Sequence, residues 1–347
     1  ARAKNDTTRK YERDVSFGIQ IGGGGNDDED RPDAKRVPVT DEMRRTAFRD
    51  PVAKDLILRA RVARLRQDSL LVSYDARSYQ RFSVGMGLRA FARERVLMRH
   101  EDVSHVTWHR KYGAFVEVKG SRTAIPMAMD DEGGENVEMA GDPPIPYYPG
   151  REDLWIGSGL AKAEVDEREL VHPIAEGSEA YYTYETGDSV IMTLPDQKRI
   201  TLREIRVEAR SPKWNLAVGS FWFDQSSAHL VRAIYRLSVP IDIWAMDETK
   251  KDMNEVPMFV KPMLSPLKVG VDAISLEYGL YNQRFWLPKL QVLEANAQVS
   301  MMRVPVQIEQ HFRYNQVNGL DSIPGMRVPP VRYAYVRDSL RKMGVDS

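Results

Sequence analysis

The chain of 347 residues is dominated by segments in which apolar and polar residues alternate. In ITLREIRVEAR, Ile205 and Val207 alternate with Arg206 and Glu208. A period of two places successive side chains on opposite faces of a β-strand. Similar runs, separated by turns such as LPDQKR and DQSSA, occupy residues 217–224, 230–237, 272–281, 285–297 and 301–315. Because turns rather than helices join the runs, the sequence predicts one large antiparallel sheet.

Two helix starts precede the alternating region. Thr40 is a suitable N-cap for a first helix. The pair Asp50 and Pro51 begins a second helix, which we expect to run through Arg66. Basic side chains outnumber acidic ones along this second helix, and they are Lys54, Arg59, Arg61, Arg64 and Arg66. Two interpretations stay open: a solvated helix face, or a helix that docks a partner.

The predicted fold class is mainly β (α+β). We expect one large curved antiparallel sheet from about Leu70 to Tyr314, with an N-terminal helix packed on it and extended arms at both ends. The predicted divisions are a Gly-rich acidic arm (1–40), the helix and sheet (41–318) and a Pro-rich basic tail (319–347).

The stretch IGGGGNDDED, residues 21–30, most suggests a binding site. A dinucleotide fingerprint needs a glycine at its sixth position, where this chain has Asp27. A Walker loop needs a Gly-Lys-Ser/Thr ending, which is absent, and the carboxylates would repel phosphate. The calcium nonapeptide G-G-x-G-x-D matches once, but that motif works in stacked copies. A flexible acidic arm is favoured, with calcium as the alternative.

No other motif predicts chemistry. The chain has no cysteine, which excludes disulfides, thiolate ligands and cysteine nucleophiles. HEDVSH resembles the zinc motif H-E-x-x-H, but His105 comes one residue late after His100. On a strand, His105 and His109 would lie about 13 Å apart on one face, too far to share a zinc ion. Carboxylates are many, but no pair is marked by its context as an acid/base dyad, so the sequence names no catalytic, metal or cofactor residue. An uncharacterised hydrolase stays open as a third hypothesis, because carboxylates are available.

The net charge and the first residue of the chain indicate where in the cell the protein is found. Fifty basic residues balance fifty acidic ones, so no overall field favours nucleic acid or anionic lipid. No run approaches the roughly 20 apolar residues that span a bilayer. The chain begins at Ala1 rather than Met, which suggests a removed leader. A cysteine-free, processed chain suits a bacterial periplasm.

Three segments carry a family resemblance: SVIMTLPDQKRITLREIRVEAR, GSFWFDQSSAHLVRAIYRLSVPIDI and ISLEYGLYNQRFWLPKLQVLEANA. They resemble the extracytoplasmic domain that precedes an outer-membrane barrel in certain large bacterial surface proteins. That domain is in turn similar to the LolA-like lipoprotein-carrier fold. The likeness covers roughly Pro51 to Val317. It implies a non-enzymatic domain without a catalytic motif. The implied fold is a strongly curved antiparallel sheet that is closed on one side by helices and has an apolar concave face.

The chain departs from that pattern because no barrel segment follows the sheet and two long arms are present. In these respects it resembles the membrane-extrinsic scaffold subunits of double-ring photosynthetic complexes. This second resemblance implies a structural subunit that docks on a periplasmic membrane-protein complex, namely its reaction-centre and light-harvesting subunits, close to the membrane surface. The alternative is a periplasmic lipid or lipoprotein carrier that uses the concave face.

Each hypothesis has its own site residues. For docking, the expected partner contacts of the arm are Phe17, Ile19, Ile21, Asp27, Asp28, Glu29 and Asp30. The apolar anchors would supply binding affinity. The exposed carboxylates would fix the position of the arm on the partner and speed association. For the carrier, alternation predicts a concave face formed by Trp222, or its neighbours Phe221 and Phe223, with Val231, Ala233, Tyr235 and Leu237.

Overall fold

The computed structural model describes residues 37–88, 95–124, 145–147, 149, 154–156, 159–161, 171–194, 196–242, 267–299 and 302–321. This part of the chain is one large antiparallel sheet with a long helix packed against it, as the sequence predicts. The arm residues 1–36 and the tail residues 322–347 lie outside the described residues. The predicted division into arm, sheet domain and tail therefore stays a prediction.

The sheet contains ten long strands in the order β3-β2-β1-β13-β12-β11-β9-β8-β7-β6, with the short β10 paired to β11. Their bounds are β1 Ser73–Leu88, β2 Arg95–His109, β3 Gly113–Ala124, β6 Tyr182–Thr193, β7 Arg199–Ala209, β8 Ala217–Asp224, β9 Leu230–Leu237, β10 Ile241–Asp242, β11 Leu267–Tyr281, β12 Phe285–Val299 and β13 Met302–Val317. A separate hairpin pairs β4 (Leu154–Ile156) with β5 (Gly159–Ala161). Every pair in the large sheet is antiparallel, and β-bulges interrupt several of them, which bends the strands.

The described residues form three helices: α1 (Asp41–Thr46), α2 (Pro51–Leu70) and the 3₁₀ turn η1 (Ser178–Ala180). The two predicted N-caps are confirmed. Thr40 accepts a hydrogen bond from Met43 N at 3.2 Å, and Asp50 accepts one from Ala53 N at 2.8 Å. Side-chain oxygens at these positions satisfy backbone N–H groups that have no partner inside the helix.

Helix α2 ends four residues later than the sequence pattern suggests, at Leu70 rather than Arg66. The added turn contains Gln67 and Asp68, which are 6% and 7% exposed. Gln67 is bonded to the backbone of Trp286, which is 219 residues away in the sequence. A tertiary contact of this kind extends a helix beyond what local propensity indicates.

The main core lies between α2 and the face of the sheet that we call the inner face. Leu56 and Ile57 of the helix pack there in one cluster with Phe221 and Tyr235 of the sheet. The last two rings are stacked with centroids 5.6 Å apart. Gly219 permits close approach here, because a Cβ at this position would lie 2.3 Å from the backbone oxygen of Ile234.

Candidate docking surface

The residues predicted for a concave face are divided between two clusters. Ala233, Tyr235 and Leu237 alternate with exposed residues along β9 and lie in the core beneath α2, together with Phe221 and Phe223. Val231 and the partly buried Trp222 belong instead to a second cluster. The inner face is therefore filled, at β8 and β9, by the protein's own side chains.

A polar belt interrupts the inner face further along the sheet. Gln310, Gln80 and Asp102 are cross-strand neighbours on β13, β1 and β2, and they are 1%, 4% and 7% exposed. Gln310 donates to Gln80, and Gln80 donates in turn to the Asp102 carboxylate at 3.4 Å. Burial raises the pKa of Asp102 above its ordinary value. The Ser104 hydroxyl also donates to this carboxylate, at 3.5 Å, and His100 lies two residues before it on the same buried face of β2. The belt is therefore a network of buried polar side chains across three strands.

The histidines of HEDVSHVTWH lie on β2 with separate partners. His100 Nδ1 lies 2.7 Å from Thr123 Oγ1, and His105 Nε2 lies 2.5 Å from Asp75 Oδ2. His109 Nδ1 accepts from the backbone N–H of the turn residue two positions later. Within the described ranges, no three His, Cys, Asp or Glu residues are grouped closely enough to hold a metal ion.

In the second half of α2, polar side chains lie on the buried side. Arg61 forms an ion pair with Glu179 at 2.7 Å, with the two side chains 14% and 11% exposed. The same guanidinium donates to Ile174 O at 2.9 Å and to Ser178 Oγ at 3.0 Å. A buried charge costs several kcal/mol unless it is paired and hydrogen-bonded. The ion pair and the two hydrogen bonds offset this cost for the Arg61 guanidinium.

Gln67, six residues after Arg61, is a second polar side chain of this helix half that is bonded inward. Its amide nitrogen donates to Trp286 O, and its amide oxygen accepts from Trp286 N, both at 2.9 Å. The side chain thus bonds to the backbone of β12 as a neighbouring strand would. Asp68, next to it, accepts a hydrogen bond from the Tyr147 hydroxyl. These contacts fix the rotation of α2 about its own axis.

The side of α2 opposite Leu56 and Gln67 is apolar and exposed. Leu58, Val62 and Leu65 are 41%, 65% and 63% exposed. Their spacing of four and three residues places them in one stripe about 10 Å long. We call these three residues the α2 stripe. The exposed Lys54 and Arg66 lie beyond its two ends.

The first half of α2 follows the usual pattern of a surface helix, whose apolar side faces the core, because Leu56 and Ile57 are buried. The second half departs from it, since Gln67 and Asp68 are buried while Val62 and Leu65 are exposed. Fully burying a Val or Leu side chain stabilises by about 1.5–3 kcal/mol, so the part still exposed corresponds to roughly 1–2 kcal/mol for each residue of the stripe. Covering all three would contribute about 3–5 kcal/mol. Contiguous exposed apolar surface larger than roughly a few hundred Å² marks interaction sites, which makes the stripe a candidate for part of such a surface.

The sequence contains a signal for the α2 stripe, because Leu58, Val62 and Leu65 already have helical spacing. The signal is hidden because Leu56 and Ile57 provide a second apolar side on the same helix. The arm residues predicted to bind a partner, Phe17, Ile19, Ile21, Asp27, Asp28, Glu29 and Asp30, lie outside the described residues.

No protein-family model matches this chain, and neither does any curated protein sequence. Solved structures similar to it include a LolA superfamily protein from Nitrosomonas europaea, with 11% identity, 75% of this chain and 93% of that chain covered, and a TM-score of 0.21. An outer membrane lipoprotein-sorting protein domain from Vibrio parahaemolyticus shows 8% identity, 78% and 93% coverage and a TM-score of 0.21. The Pseudomonas aeruginosa MucA/MucB complex shows 11% identity, 75% and 94% coverage and a TM-score of 0.19.

The first of these structures carries the LolA name that the sequence resemblance suggested. Identities of 8–11% and TM-scores of 0.19–0.21 carry no argument about what this chain binds. The assignment to a mainly β fold rests on the described strands and their pairing. Of the helices in the described ranges, none has both the length and the apolar character needed to cross a membrane.

Proposed function

We propose that this protein is a non-enzymatic periplasmic subunit that docks on a membrane-protein complex, and that the α2 stripe is its main contact. The exposed α2 stripe, on a helix whose rotation is held by inward-bonded polar side chains, is the observation that carries the proposal. Arg61 and Gln67 are bonded inward, so α2 cannot rotate to bury Leu58, Val62 and Leu65 without losing those bonds. A partner that covers the stripe removes its apolar surface from water while the hydrogen bonds of Arg61 and Gln67 stay intact.

The geometry of the stripe suits a protein partner. Anchors at positions i, i+4 and i+7 of a helix are the pattern that fits an apolar groove on another protein. Three aliphatic side chains cover too small an area for a stable interface by themselves, because specific complexes bury about 800 Å² on each partner. The docking surface must therefore include further residues.

The N-terminal arm is the second contact in this proposal. Its apolar residues Phe17, Ile19 and Ile21 would insert between side chains of the partner. The carboxylates Asp27, Asp28, Glu29 and Asp30 would face basic groups, which contribute register and association rate more than affinity. That the partner is a photosynthetic reaction-centre and light-harvesting complex is the finer form of the proposal, and it rests on the sequence resemblance alone.

The carrier hypothesis has less support from the described residues. Its expected ligand-binding face includes Ala233, Tyr235 and Leu237, and these are 0%, 2% and 3% exposed beneath α2. An acyl chain at this place would have to displace the helix.

The test is co-purification from a detergent extract of the source membranes with the full chain as bait. The variant combines Leu58→Ser, Val62→Ser and Leu65→Ser. The control combines Val96→Ser and Val103→Ser, which are 45% and 41% exposed on β2, away from the helix. We expect the membrane complex to be lost with the first variant and retained with the control. Equal recovery with both would refute the stripe as the docking site.

A salt series separates the two contacts. Apolar burial is insensitive to moderate salt, whereas exposed charges are screened over about 10 Å at 0.1 M ionic strength. Replacing the four arm carboxylates by their amides should therefore reduce recovery at low salt only. The stripe variant should reduce recovery at every salt concentration.

A further inference from the structure

Strand β6 ends the sheet, and the first half of its outer edge is covered by the segment that precedes α2. Tyr184 N donates to Ala47 O at 2.8 Å, and Arg49 N donates to Tyr184 O at 2.9 Å, which makes a short parallel pairing. Asp50 follows by accepting a hydrogen bond from Thr186 N at 2.8 Å. The chain then enters α2 and leaves the edge.

The second half of β6, residues 188–193, is open among the residues that the structure describes. Its backbone groups bond there only to β7 and to a side chain of β7. Val190 and Ile191 are 49% and 59% exposed. The segment DSVIMT contains neither lysine nor proline, with which edge strands commonly block pairing. This half-strand is a template for one more strand.

We propose that residues 15–21 of the N-terminal arm add this strand in the protein that is free of its partner. The segment VSFGIQI alternates Val15, Phe17, Ile19 and Ile21 with smaller or polar residues, as a strand with one apolar face does. Main-chain hydrogen bonds to the open edge would supply affinity, and the alternating side chains would select the register.

The place where the described chain begins brings the arm to this edge. Val37 N donates to the Tyr181 hydroxyl at 3.4 Å, one residue before β6 begins. From there to Val190 is about 30 Å along the strand at about 3.3 Å per residue. The 15 residues from Gly22 to Arg36 reach up to about 50 Å when extended.

The same geometry sets the direction of the added strand. The arm must return from the open half of β6 to Tyr181, which is opposite to the direction of β6 itself. An antiparallel strand makes this return without reversing, with Ser16 opposite Thr193, Ile19 opposite Val190 and Ile21 opposite Asp188. A parallel strand would need an additional reversal within the glycine-rich linker.

This inference rests on the proposed function in one respect, since Phe17, Ile19 and Ile21 are also the apolar contacts proposed for the partner. The edge of β6 and the partner would then compete for the same segment. Covering the edge in the free protein would also prevent two copies from pairing through β6.

Cysteine cross-linking tests the pairing directly, because the natural chain has no cysteine to interfere. Ile19→Cys is combined with Val190→Cys in one full-length variant and with Ile191→Cys in another. Cross-strand Cα atoms lie about 4.5–5.5 Å apart, within the range that a disulfide spans. The matched control combines Ile19→Cys with Arg122→Cys on β3, the strand at the opposite edge.

We expect rapid oxidation to an intramolecular disulfide in at least one of the two variants and none in the control. Cross-linked dimers would overturn the proposal, because they would show that the arm covers the edge of a second copy. Equal cross-linking in all three variants, or in none, would also overturn it. All measurements use purified protein without partner, so their failure leaves the co-purification result unaffected.

Hydrogen exchange provides a second readout that needs no cysteine. In the full-length variant Phe17→Ser, Ile19→Ser and Ile21→Ser, we expect the amides of residues 189–193 to exchange at least tenfold faster than in the natural chain. Amides of residues 119–123 on β3 are the internal reference and should not change. Unchanged exchange at β6 would mean that the arm does not pair with it.

Discussion

Asp50 joins helix α2 to the edge of the sheet through a single carboxylate. Its oxygens accept hydrogen bonds from Ala53 N at 2.8 Å, from Thr186 N at 2.8 Å and from Thr186 Oγ1 at 2.5 Å. The first of these bonds caps the helix, and the other two hold β6 against the helix start. We predict that Asp50→Ala disrupts both functions together.

The magnitude follows from these three contacts. Loss of an N-cap costs about 1 kcal/mol, and hydrogen bonds to a charged group contribute about 1.5–3 kcal/mol each when buried. Because Asp50 is partly exposed, we reduce each Thr186 bond to about 1 kcal/mol, for a total loss of about 3 kcal/mol. Asp50→Asn keeps the oxygen that caps Ala53 but presents an amide donor to the Thr186 N–H, so it should cost about 1–1.5 kcal/mol.

Acid should reduce this contribution. Burial raises the pKa of Asp50, but hydrogen bonds from Thr186 and from the backbone of Ala53 and Val52 outweigh it, so the pKa lies below its ordinary value of 3.8. A carboxyl with a lowered folded-state pKa stabilises fully above its unfolded pKa, and this stabilisation is lost as the pH falls through the folded value. The difference between the natural chain and Asp50→Ala should therefore be constant near neutral pH and shrink below about pH 4.

Urea unfolding of the natural chain, Asp50→Ala, Asp50→Asn and Thr186→Val at pH 7 and pH 3 measures these differences. We expect the order of stability to be natural, Asn, then Ala at pH 7, with a smaller spread at pH 3. A double-mutant cycle between Asp50→Ala and Thr186→Val should show coupling of about 1–2 kcal/mol. A loss below 0.5 kcal/mol for Asp50→Ala, or additivity in the cycle, would refute the joint role of the carboxylate.

Two further predictions concern the sheet. Gly219→Ala should lower the free energy of unfolding by more than about 3 kcal/mol or prevent folding, because the new Cβ would lie 2.3 Å from Ile234 O and 2.7 Å from Tyr235 Cα. Gly120→Ala is the control: no atom lies within 4 Å of its Cβ, so the free energy of unfolding should change by less than about 0.5 kcal/mol. Similar melting temperatures for the two variants would contradict this prediction. Burial raises the folded-state pKa of Asp102, so stability should fall as the pH rises from the unfolded pKa through the folded one, and Asp102→Asn should remove that dependence. A pH–stability curve from pH 3 to 8 with the same slope for both proteins would show that Asp102 is not responsible.

The strands that the sequence predicted best are those whose pattern is local and uninterrupted. The segments 217–224 and 230–237 match β8 and β9 residue for residue. The segments 285–297 and 301–315 match β12 and β13 to within two residues at each end. A period of two and a polar turn are local properties, so they can be recognised without knowledge of the neighbours in space.

The candidate docking surface could not be recognised in the same way. Helix α2 has apolar residues on two sides, at Leu56 and Ile57 and at Leu58 and Val62. No local rule determines which pair faces the core. The sequence pattern left both a solvated face and a docking face open. The side-chain contacts of the folded chain decide only which side of α2 is buried and which is exposed.

By itself, the sequence determined the fold class, the antiparallel pairing of turn-linked strands and the two N-caps, because each depends on residues within a few positions of one another. Tertiary structure decided which side of α2 is buried. Arg61 finds Glu179 at a separation of 118 residues, and Gln67 finds Trp286 at a separation of 219. Because a buried guanidinium or amide must be hydrogen-bonded, these distant partners fix the rotation of the helix and leave Val62 and Leu65 exposed to solvent.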